Sequence, residues 1–491
     1  MVKSLACLLI LPDLKDDIHI ERWDKSVEWA TNAYTSDYPM VDDMTSEKRW
    51  AIGYLAWKRL IQHNASSDVK VFFVRTDYRL QIGTHTVEND IITVGYNKSY
   101  GHIMYKTLEA FKLLTDFDFV VRGNVNTIVD IHTLHDYLED VRTSNVFTSP
   151  FWEGGDYPYG YFMLFSKDII EYLSSIDMGD DKRFFTEDTA DDYEITKIVL
   201  TKYDHTMLKG CDAPHKHIND PKPEITKINE RGMRLLSTET SAQVNNAIKE
   251  SSELIFLYRI QTLADKNYVS VYKFLIRHIW NKIIKKRYSD LVVYNESGHR
   301  VPHLEYERDE QLLVSQYISP SDVVLELGAR YGSVSCIINK ILTNKSNQVS
   351  VEPDNTVWEA LERTKRENKC EFMVYKGIIS SKNYDLKLNG YGSTVDITNT
   401  ITSGTAISTQ NMSLDELQKT TGLTFNVLVA DCEGFLETFL NENKILYTQL
   451  NLIIFECDRA DVCNYHYIKT ELIANGFVCL ESGFQCVFKK Q

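Results

Sequence analysis

Apolar residues in the last third of the chain recur in short runs, and amphipathic segments separate these runs. The runs are VVLEL (323–327), QVSVEP (348–353), NVLVAD (426–431) and LNLIIFECD (450–458). Each run has the length of a buried strand, and the segments between them have the length and spacing of helices. Strand–helix alternation of this kind predicts a doubly wound α/β sheet. The last apolar runs, FVCLES and CVFKK, predict a closing hairpin.

The first 285 residues show a similar alternation. Apolar runs at 5–11, 68–75, 90–96 and 159–166 predict strands, with amphipathic helices near 102–114 and from about Asp130. The opening run could serve as a signal peptide, but Pro12 and an acidic cluster follow it and a small-x-small cleavage site does not. We predict that this run is instead a buried first strand of a parallel sheet.

A segment with helical periodicity joins the two parts. Apolar residues stand at 272, 275, 279, 280, 283 and 284 of the stretch 271–290, which predicts an amphipathic helix. Its basic residues could touch an anionic membrane surface, but packing on the first domain is favoured. We predict two α/β domains, 1–285 and 286–491. No run approaches the 18 apolar residues that a membrane span requires.

Composition narrows the class of protein. The 491 residues are 43% hydrophobic and 25% charged, as in soluble globular proteins. A net charge of −15 argues against sequence-independent nucleic-acid binding, because neutralising phosphates requires a surplus of Lys and Arg. Nine cysteines without a C-x-x-C pair indicate reduced thiols and a cytoplasmic location.

Two glycines follow the strand 323–327. The spacing from Gly328 to Gly332 is neither the dinucleotide fingerprint G-x-G-x-x-G nor a P-loop. An acid, Glu352, ends the next strand, where it can accept hydrogen bonds from both hydroxyls of a ribose. The glycine loop can then hold the amino-acid part of S-adenosylmethionine. The predicted cofactor-binding residues are Glu326, Gly328, Arg330, Gly332 and Glu352.

Three segments carry a resemblance to a known family. SLDEL (413–417), NVLVADCEGFLETFL (426–440) and LIIFE (452–456) resemble the tail of FkbM-type O-methyltransferases, over roughly residues 320–490. The resemblance implies a Rossmann-like class I methyltransferase domain that uses S-adenosylmethionine. The family often has a lysine two residues before the aspartate of D-x-E-G, where this chain has Val429.

Three carboxylates are the catalytic candidates in this domain: Asp431, Glu433 and Glu456. One could deprotonate a sugar hydroxyl, or they could hold a divalent cation that lowers the pKa of that hydroxyl. The alternative for Glu433 is a helix cap. The segment 303–318 predicts a helix across the site, from which Glu305 or Glu307 could reach the cofactor or face solvent. The Ser/Thr-rich run 393–413 predicts a hairpin or mobile loop beside the site.

The first domain has a polar strand end, VVRGNVNT (120–127). Glycosyltransferases of the GT-A type carry a metal-binding D-x-D at such a position. Arg122, Asn124 and Asn126 could instead bind phosphate or ribose without a metal, or could form a merely polar loop. A later segment, TEDTADDYEITKIV, places Asp191 and Asp192 in the first turn of a helix. Either could be the base that deprotonates an acceptor, or could only complement the helix dipole.

The order of these segments resembles the glycosyltransferase domains of large DNA viruses of algae and amoebae. The later ELIFLYRIQTLADKN, which contains Arg259, is similar to the end of those domains. The resemblance implies a GT-A fold, with a nucleotide sugar at Arg122, Asn124, Asn126 and Arg259 and a base at Asp191 or Asp192. His215 and His217 are weaker candidates for a metal ligand, and dependence on Mn²⁺ or Mg²⁺ stays open. Some of those viral proteins fuse such a domain to a methyltransferase.

The working hypothesis is a bifunctional enzyme in the host cytoplasm. Its first domain would transfer a sugar from a nucleotide sugar to a glycan or glycoprotein, and the second would O-methylate a hydroxyl of the product. One alternative is a methyltransferase whose first domain only binds glycan or protein. Another is a natural-product methyltransferase with a degenerate fused domain.

Overall fold

The structure is a computed structural model of the chain. It describes residues 3–35, 44–61, 68–95, 103–148, 152–153, 157–158, 162–179, 191–202, 233–236, 241–249, 257–260, 263, 266–302, 306–389, 392–396, 406–408 and 410–490. These residues form two compact units, of which the first ends at Ile279 and the second begins at Trp280. The division falls inside the predicted amphipathic helix, six residues before the predicted boundary.

The first unit alternates strands and helices. Its elements are β1 (Leu5–Ile10), α1 (Asp17–Thr35), α2 (Ser46–Ile61), β2 (Val69–Asp77), β3 (His85–Glu88), β4 (Ile91–Gly95), α3 (Ile103–Phe111), β5 (Phe119–Asn124), β6 (Thr127–Val129), α4 (Ile131–Leu138), β7 (Phe147–Thr148), β8 (Trp152–Glu153), β9 (Tyr157–Pro158), β10 (Phe162–Ser166), α5 (Lys167–Ser174), α6 (Asp191–Lys202), β11 (Met233–Leu236), α7 (Ser241–Lys249) and β12 (Leu257–Ile260). Helix α8 (Tyr268–Arg287) follows.

The sheet of the first unit is mixed, in the order β3-β4-β2-β1-β5-β10-β7. Strands β4, β2, β1 and β5 are parallel, and β10 runs antiparallel to β5. All six residues of β1 are buried at the centre of this sheet, which confirms the prediction for the opening run. The chain passes from β1 to β2 on one side and returns to β5 on the other. The carboxyl ends of β1 and β5 therefore flank a topological switch point.

The second unit contains the remaining elements. They are β13 (Val293–Tyr294), β14 (Arg300–Val301), α9 (Arg308–Tyr317), β15 (Val324–Leu327), α10 (Ser333–Ile341), β16 (Gln348–Val351), α11 (Trp358–Glu367), β17 (Met373–Tyr375), β18 (Ile378–Ile379), β19 (Asp385–Asn389), β20 (Gly392–Asp396), β21 (Ala406–Ser408), β22 (Asn411–Met412), α12 (Leu414–Thr421), β23 (Val427–Ala430), α13 (Leu436–Glu442), α14 (Leu446–Gln449), β24 (Leu452–Glu456), α15 (Tyr465–Ala474), β25 (Phe477–Glu481) and β26 (Gln485–Lys490).

The main sheet of the second unit has the order β17-β16-β15-β23-β24-β26-β25. The first five strands are parallel, and β26 lies antiparallel between β24 and β25. Counted along the chain, the order is 3-2-1-4-5-7-6. The predicted doubly wound α/β sheet and its closing hairpin are confirmed. The switch point lies between β15 and β23.

Local sequence accounts for several helix ends in this unit. Helix α12 begins with a capping box, in which Ser413 accepts from the backbone of Glu416 and the Glu416 carboxylate accepts from Ser413. It ends at Gly422, whose φ of +71° suits a left-handed cap. The predicted single helix over 436–446 is instead two helices, α13 and α14, which Asn443 separates.

Helix α8 has the predicted amphipathic pattern. The apolar positions at 272, 275, 279, 280, 283 and 284 are all buried in the protein, so this stripe does not face a membrane surface. Among the described residues, none of the helices is both long and apolar enough to cross a bilayer. The Ser/Thr-rich run contributes β20 and β21, which both pair antiparallel with β19 in a small separate sheet.

Candidate active site

A cavity of about 700 Å³, measured with its open mouth, lies at the carboxyl ends of β15, β16 and β23. The position is the switch point where doubly wound sheets bind ligands. Its lining combines apolar side chains with carboxylates. The lining residues are Glu307, Leu327, Gly328, Arg330, Val351, Glu352, Pro353, Gly377, Ile378, Ile379, Leu386, Asp431, Cys432, Glu433 and Phe435.

The two glycines after β15 are both required by their surroundings. Gly328 has φ +91°, and a Cβ there would lie 1.6 Å from the backbone oxygen of Asp431. Gly332 has φ +79° and precedes α10, and its Cβ would lie 2.7 Å from Leu361 Cδ1. The glycine loop was predicted to hold part of the cofactor, and both glycines lie close to neighbouring protein atoms. These glycines shape the turn that forms the cavity wall.

Glu352 joins the glycine loop to the end of β16. Its Oε2 accepts a hydrogen bond from Arg330 N at 2.6 Å, and its Oε1 accepts from Asp354 N at 2.7 Å. Each carboxylate oxygen can accept a second hydrogen bond, so Glu352 can still bind hydroxyls in the cavity. Burial raises the pKa of Glu352 to about 7, against the lowering effect of these bonds.

Three lining residues other than glycine have left-handed backbone conformations. They are Glu307 (φ 52°), Arg330 (φ 40°) and Glu433 (φ 49°). Left-handed conformations of such residues cost on the order of 1–3 kcal/mol and concentrate at functional sites. Of the seven such residues in the described part of the chain, three lie around this one cavity.

Glu307 is a cavity residue, although a solvent-facing position was the favoured sequence interpretation. It immediately precedes α9, and its Oε2 accepts from Ser333 Oγ at 2.5 Å, at the first residue of α10. Burial is the main cause that raises its pKa to about 7. The helix α9 is shorter than predicted, and Glu305 lies outside the described residues.

Glu326 lies behind the cavity, not in its wall. It is 2% exposed, and its Oε2 accepts from Ser350 Oγ at 2.5 Å, while Gln348 Nε2 donates to the same Ser350 hydroxyl. Successive side chains of a strand alternate between faces, so Leu327 lines the cavity and Glu326 does not. Burial raises the pKa of Glu326 to about 7. Its hydrogen bond with Ser350 joins β15 to β16.

We expect Glu326→Gln to stabilise the second unit at pH 8 but not at pH 4.5. The folded pKa is raised, so the carboxyl adds stability below its unfolded pKa near 4.5, and this stability is lost as pH rises through 7. The difference corresponds to on the order of 3 kcal/mol. Thermal unfolding of the full chain at the two pH values measures it. An equal change at both would contradict the expectation.

A control of opposite sign is Glu416→Gln in the α12 capping box. Hydrogen bonds from Ser413 lower the pKa of Glu416, so its contribution to stability is present at neutral pH and is lost as pH falls. The effect of this exposed substitution on stability should disappear at low pH, where Glu326→Gln also leaves the stability unchanged. At pH 8 the two variants should differ in direction.

The three predicted catalytic carboxylates lie at one edge of the sheet. Asp431 follows β23, Glu456 ends the neighbouring β24, and Glu433 lies two residues beyond Asp431. Burial, followed by repulsion from nearby carboxylates, raises the pKa of Asp431 and of Glu456 to about 8. The pKa of Glu433 is also raised, chiefly by burial. Glu433 does not cap a helix, because α13 begins after Phe435 without a side-chain cap bond.

Two further carboxylates belong to this group and were not predicted. Single oxygen atoms of Asp431, Glu456 and Asp458 all lie within 4.8 Å of one another. Glu310 of α9 is 4% exposed and interacts electrostatically with Asp431 and Glu456. A signal for Glu310 exists in the sequence, because it stands in helical phase with the buried Leu313, Val314 and Tyr317.

In the first unit, the structure brings together part of the predicted donor site. Asn124 ends β5 at the switch point, and the loop to β6 contains Asn126, whose buried side-chain oxygen accepts no hydrogen bond from the described residues. Strand β12 pairs with β6, which places Arg259 opposite Thr127 in the sheet register. Arg122 lies further inside β5 and is 1% exposed.

The other predicted residues of this unit lie in α6 or outside the described residues. Asp192 is half-buried in the first turn of α6, where its Oδ1 accepts from Tyr193 N at 2.9 Å. Asp191 begins α6, but its side chain lies outside the described residues, as do His215 and His217. Sequence reasoning missed a buried ion pair beside β1, in which Lys106 Nζ lies 2.5 Å from Asp13 Oδ1.

Comparison with solved structures found partial overlaps. A methyltransferase from Pyrococcus furiosus is 17% identical, with a TM-score of 0.25 over 44% of this chain and 96% of that one. A protein of the NADB-Rossmann superfamily from Streptococcus agalactiae is 10% identical, with a TM-score of 0.24 over 37% of this chain and 67% of that one. Aeropyrum pernix fibrillarin with bound S-adenosyl-L-methionine is 13% identical, with a TM-score of 0.23 over 37% and 73%.

No protein-family model matches the sequence, and no curated protein matches it. Structural similarity at these scores assigns neither a substrate nor an activity to the chain.

Proposed function

We propose that the second unit binds S-adenosylmethionine and transfers its methyl group to a hydroxyl. The observation that carries this proposal is the switch-point cavity, in which Glu352 ends the second strand beside the Gly328–Gly332 turn. Glu352 would hold the ribose hydroxyls, and the apolar side chains Ile378, Ile379 and Phe435 suit the adenine ring. The doubly wound sheet is consistent with the Rossmann-like methyltransferase domain that the resemblance implies.

The charge of the cavity favours this cofactor over a dinucleotide. Four carboxyl groups line it, those of Glu307, Glu352, Asp431 and Glu433, against the single guanidinium of Arg330, and a positive ligand would favour their ionised form despite their raised pKa values. A dinucleotide carries a pyrophosphate with two negative charges, which this lining would repel. S-adenosylmethionine carries a positive sulfonium and an ammonium group, which this lining would attract. Phosphorylated acceptors are disfavoured for the same reason.

The chemistry requires alignment and removal of one proton. When bound, the cofactor supplies an activated methyl group. The cavity would align the acceptor oxygen with that group, and alignment contributes much of the acceleration in such displacements. A carboxylate must accept the hydroxyl proton, and Glu433 lines the cavity with a raised pKa suited to that task. The acceptor that the resemblance implies is a sugar hydroxyl of a glycan or glycoprotein.

Calorimetric titration of the full chain with S-adenosylmethionine and with NAD⁺ tests the cofactor. We expect one S-adenosylmethionine bound per chain and no binding of NAD⁺. Methyl transfer is then followed with labelled S-adenosylmethionine and a panel of neutral and phosphorylated glycans. Binding of NAD⁺ in place of S-adenosylmethionine would refute the proposal.

We propose as a second function that the first unit is a GT-A-type glycosyltransferase that uses a nucleotide sugar. The supporting observation is the switch point between β1 and β5. Asn124 ends β5 there, and Asn126, whose side-chain oxygen accepts no hydrogen bond from the described residues, follows in the loop to β6. Strand β12, which contains Arg259, pairs with β6. Helix α2 holds this loop in place, because Trp57 Nε1 donates to Thr127 O at 3.1 Å. The alternative is a binding module for glycan or protein, without turnover.

We expect the full chain to hydrolyse one nucleotide sugar slowly, and Asp192→Asn to lower that rate on the order of 100-fold or more if Asp192 is the base. Release of free nucleotide is measured across a panel of donors, with and without Mn²⁺ or Mg²⁺. Glu171→Gln, on the exposed side of α5, is the matched control. Binding of a glycan without any nucleotide release would favour the binding module.

A further inference from the structure

Three carboxylates lie close together at the edge of the cavity, beside the proposed cofactor site. Asp431, Glu456 and Asp458 lie at the carboxyl ends of the adjacent strands β23 and β24, and three of their oxygen atoms lie within 4.8 Å of one another. Three like charges so close repel one another strongly when they are partly buried. Their grouping therefore requires protons or a bound cation.

A buried carboxylate beside this group points to the same conclusion. Glu310 is 4% exposed, and its charge interacts with those of Asp431 and Glu456. Among the residues that the structure describes, no hydrogen-bond donor or basic side chain contacts the Glu310 carboxylate. Asp458 is similar in part, since Tyr465 donates to its Oδ1 at 2.7 Å while its buried Oδ2 has, among the described residues, no neutral or basic donor, and the neighbouring group is the Glu433 carboxyl. Buried carboxylates normally have such partners.

The nearby basic residues offset only part of the charge of this group, although Arg459 lies within electrostatic range of Asp458 and Glu433. Arg459 makes a two-pronged ion pair with Asp461, through Nε at 2.9 Å and a terminal nitrogen at 2.8 Å. Arg330 lines the cavity and lies within electrostatic range of Asp431 and Glu433, but it is a single charge. The edge therefore keeps a surplus of negative charge.

We propose that Asp431, Glu456 and Asp458 together bind one divalent cation, Mg²⁺ or Mn²⁺, beside the cavity. All three members of the group are carboxylates, and carboxylate oxygens are the ligands that these hard cations prefer. Ligand oxygens about 2.1 Å from Mg²⁺ lie about 3 to 4.2 Å apart, so the three oxygens need only a small movement. Glu310 is not a ligand in this proposal, and its negative charge helps to balance the positive charge of the cation.

The cation would also bind the acceptor, a part of the inference that rests on the proposed methyl transfer. Three protein ligands leave open positions on an octahedral ion, and one of them can take the acceptor hydroxyl oxygen. The ion lowers the pKa of that hydroxyl.

Titration of the chelator-treated full chain with Mn²⁺, followed by electron paramagnetic resonance, tests the site. Asp458→Asn and Glu456→Gln should each weaken one Mn²⁺ site on the order of 100-fold. Asp415→Asn, an exposed acid of α12 paired with Lys419, should leave it unchanged. Mn²⁺ should raise the unfolding temperature of the wild type, and of neither site variant. A Mn²⁺ site in the first unit would remain in all variants, so comparing the variants distinguishes it from the proposed site.

Equal Mn²⁺ affinity in the wild type and both site variants, or no binding at all, would overturn the proposal. S-adenosylmethionine binding is measured on the same samples. If the cofactor binds and Mn²⁺ does not, the cation site is wrong and the proposed function stands. If Mn²⁺ binds in the site and the cofactor does not, the cation site stands without the methyl transfer.

Discussion

Glu352→Gln is expected to weaken S-adenosylmethionine binding on the order of 100-fold or more. In the proposed site, the carboxylate accepts hydrogen bonds from two ribose hydroxyls. Hydrogen bonds to a charged group contribute about 1.5–3 kcal/mol each, and 1.4 kcal/mol corresponds to a factor of ten. The carboxamide keeps the size of the side chain but loses the charge and one acceptor, and its NH₂ group meets the backbone N–H of Arg330 or Asp354. Calorimetric titration measures the change.

The matched control is Glu362→Gln, on α11 of the same unit, where the carboxylate pairs with Lys376 at the surface. It should leave the affinity unchanged. Unfolding temperatures without cofactor separate a binding effect from a loss of folding. An unchanged affinity in Glu352→Gln would show that the ribose lies elsewhere.

The same residue predicts a pH dependence of cofactor affinity. The raised pKa of Glu352, about 7, means that most of the carboxyl is protonated at pH 6. If binding requires the carboxylate, the affinity should be about tenfold lower at pH 6 than at pH 8. The Gln variant should lose this dependence. A flat profile in the wild type would count against hydroxyl binding by the charged form.

Gly328→Ala is expected to lower the stability of the second unit by on the order of 3–5 kcal/mol. The new Cβ would lie 1.6 Å from Asp431 O, so the backbone after β15 or after β23 must shift. The φ of +91° adds conformational strain. For a unit of this size, about 1 kcal/mol corresponds to about 2–4 °C in unfolding temperature. Cofactor binding should also be lost, since both cavity walls move.

Gly476→Ala is the matched control for conformational strain. Its φ is +85°, close to that of Gly328, but apart from Gly476 and its two chain neighbours no heavy atom of the described residues lies within 4 Å of the point that a Cβ would occupy. It should lose only the strain, about 1–2 kcal/mol. Equal losses in the two variants would show that the contact with Asp431 is not important.

Local sequence was informative about strands and their ends. The apolar runs predicted β15, β16, β23 and β24, and parallel strands gather their carboxyl ends at one edge of a sheet. Residues just past those ends therefore converge without any knowledge of helix packing. Glu352, Asp431 and Glu433 were predicted in this way, and all three line the cavity. The predicted single helix over 436–446 was wrong because a turn at Asn443 interrupts an otherwise regular apolar pattern.

The position of Glu326 was not predictable from its motif alone. An acid near the end of the first strand, Glu326, was predicted to bind the cofactor. Because strand side chains alternate, one residue of register decides between the cavity and the interior, and Glu326 lies on the buried side. The packing of β16 and α10 around Glu326 decides which buried polar side chains form hydrogen bonds with it.

The sequence by itself determined that this chain is α/β, that its second half is a doubly wound sheet, and that a glycine turn and acids stand at its strand ends. These features depend on short-range periodicity and on the geometry of parallel strands. Only the tertiary structure decided that Glu307 lines the cavity and that Glu310 and Asp458 join Asp431 and Glu456. Those contacts depend on how α9 lies against the sheet edge, which brings Glu310 near residues more than a hundred positions away. They also depend on the pairing of β23 with β24, which joins residues 25 positions apart.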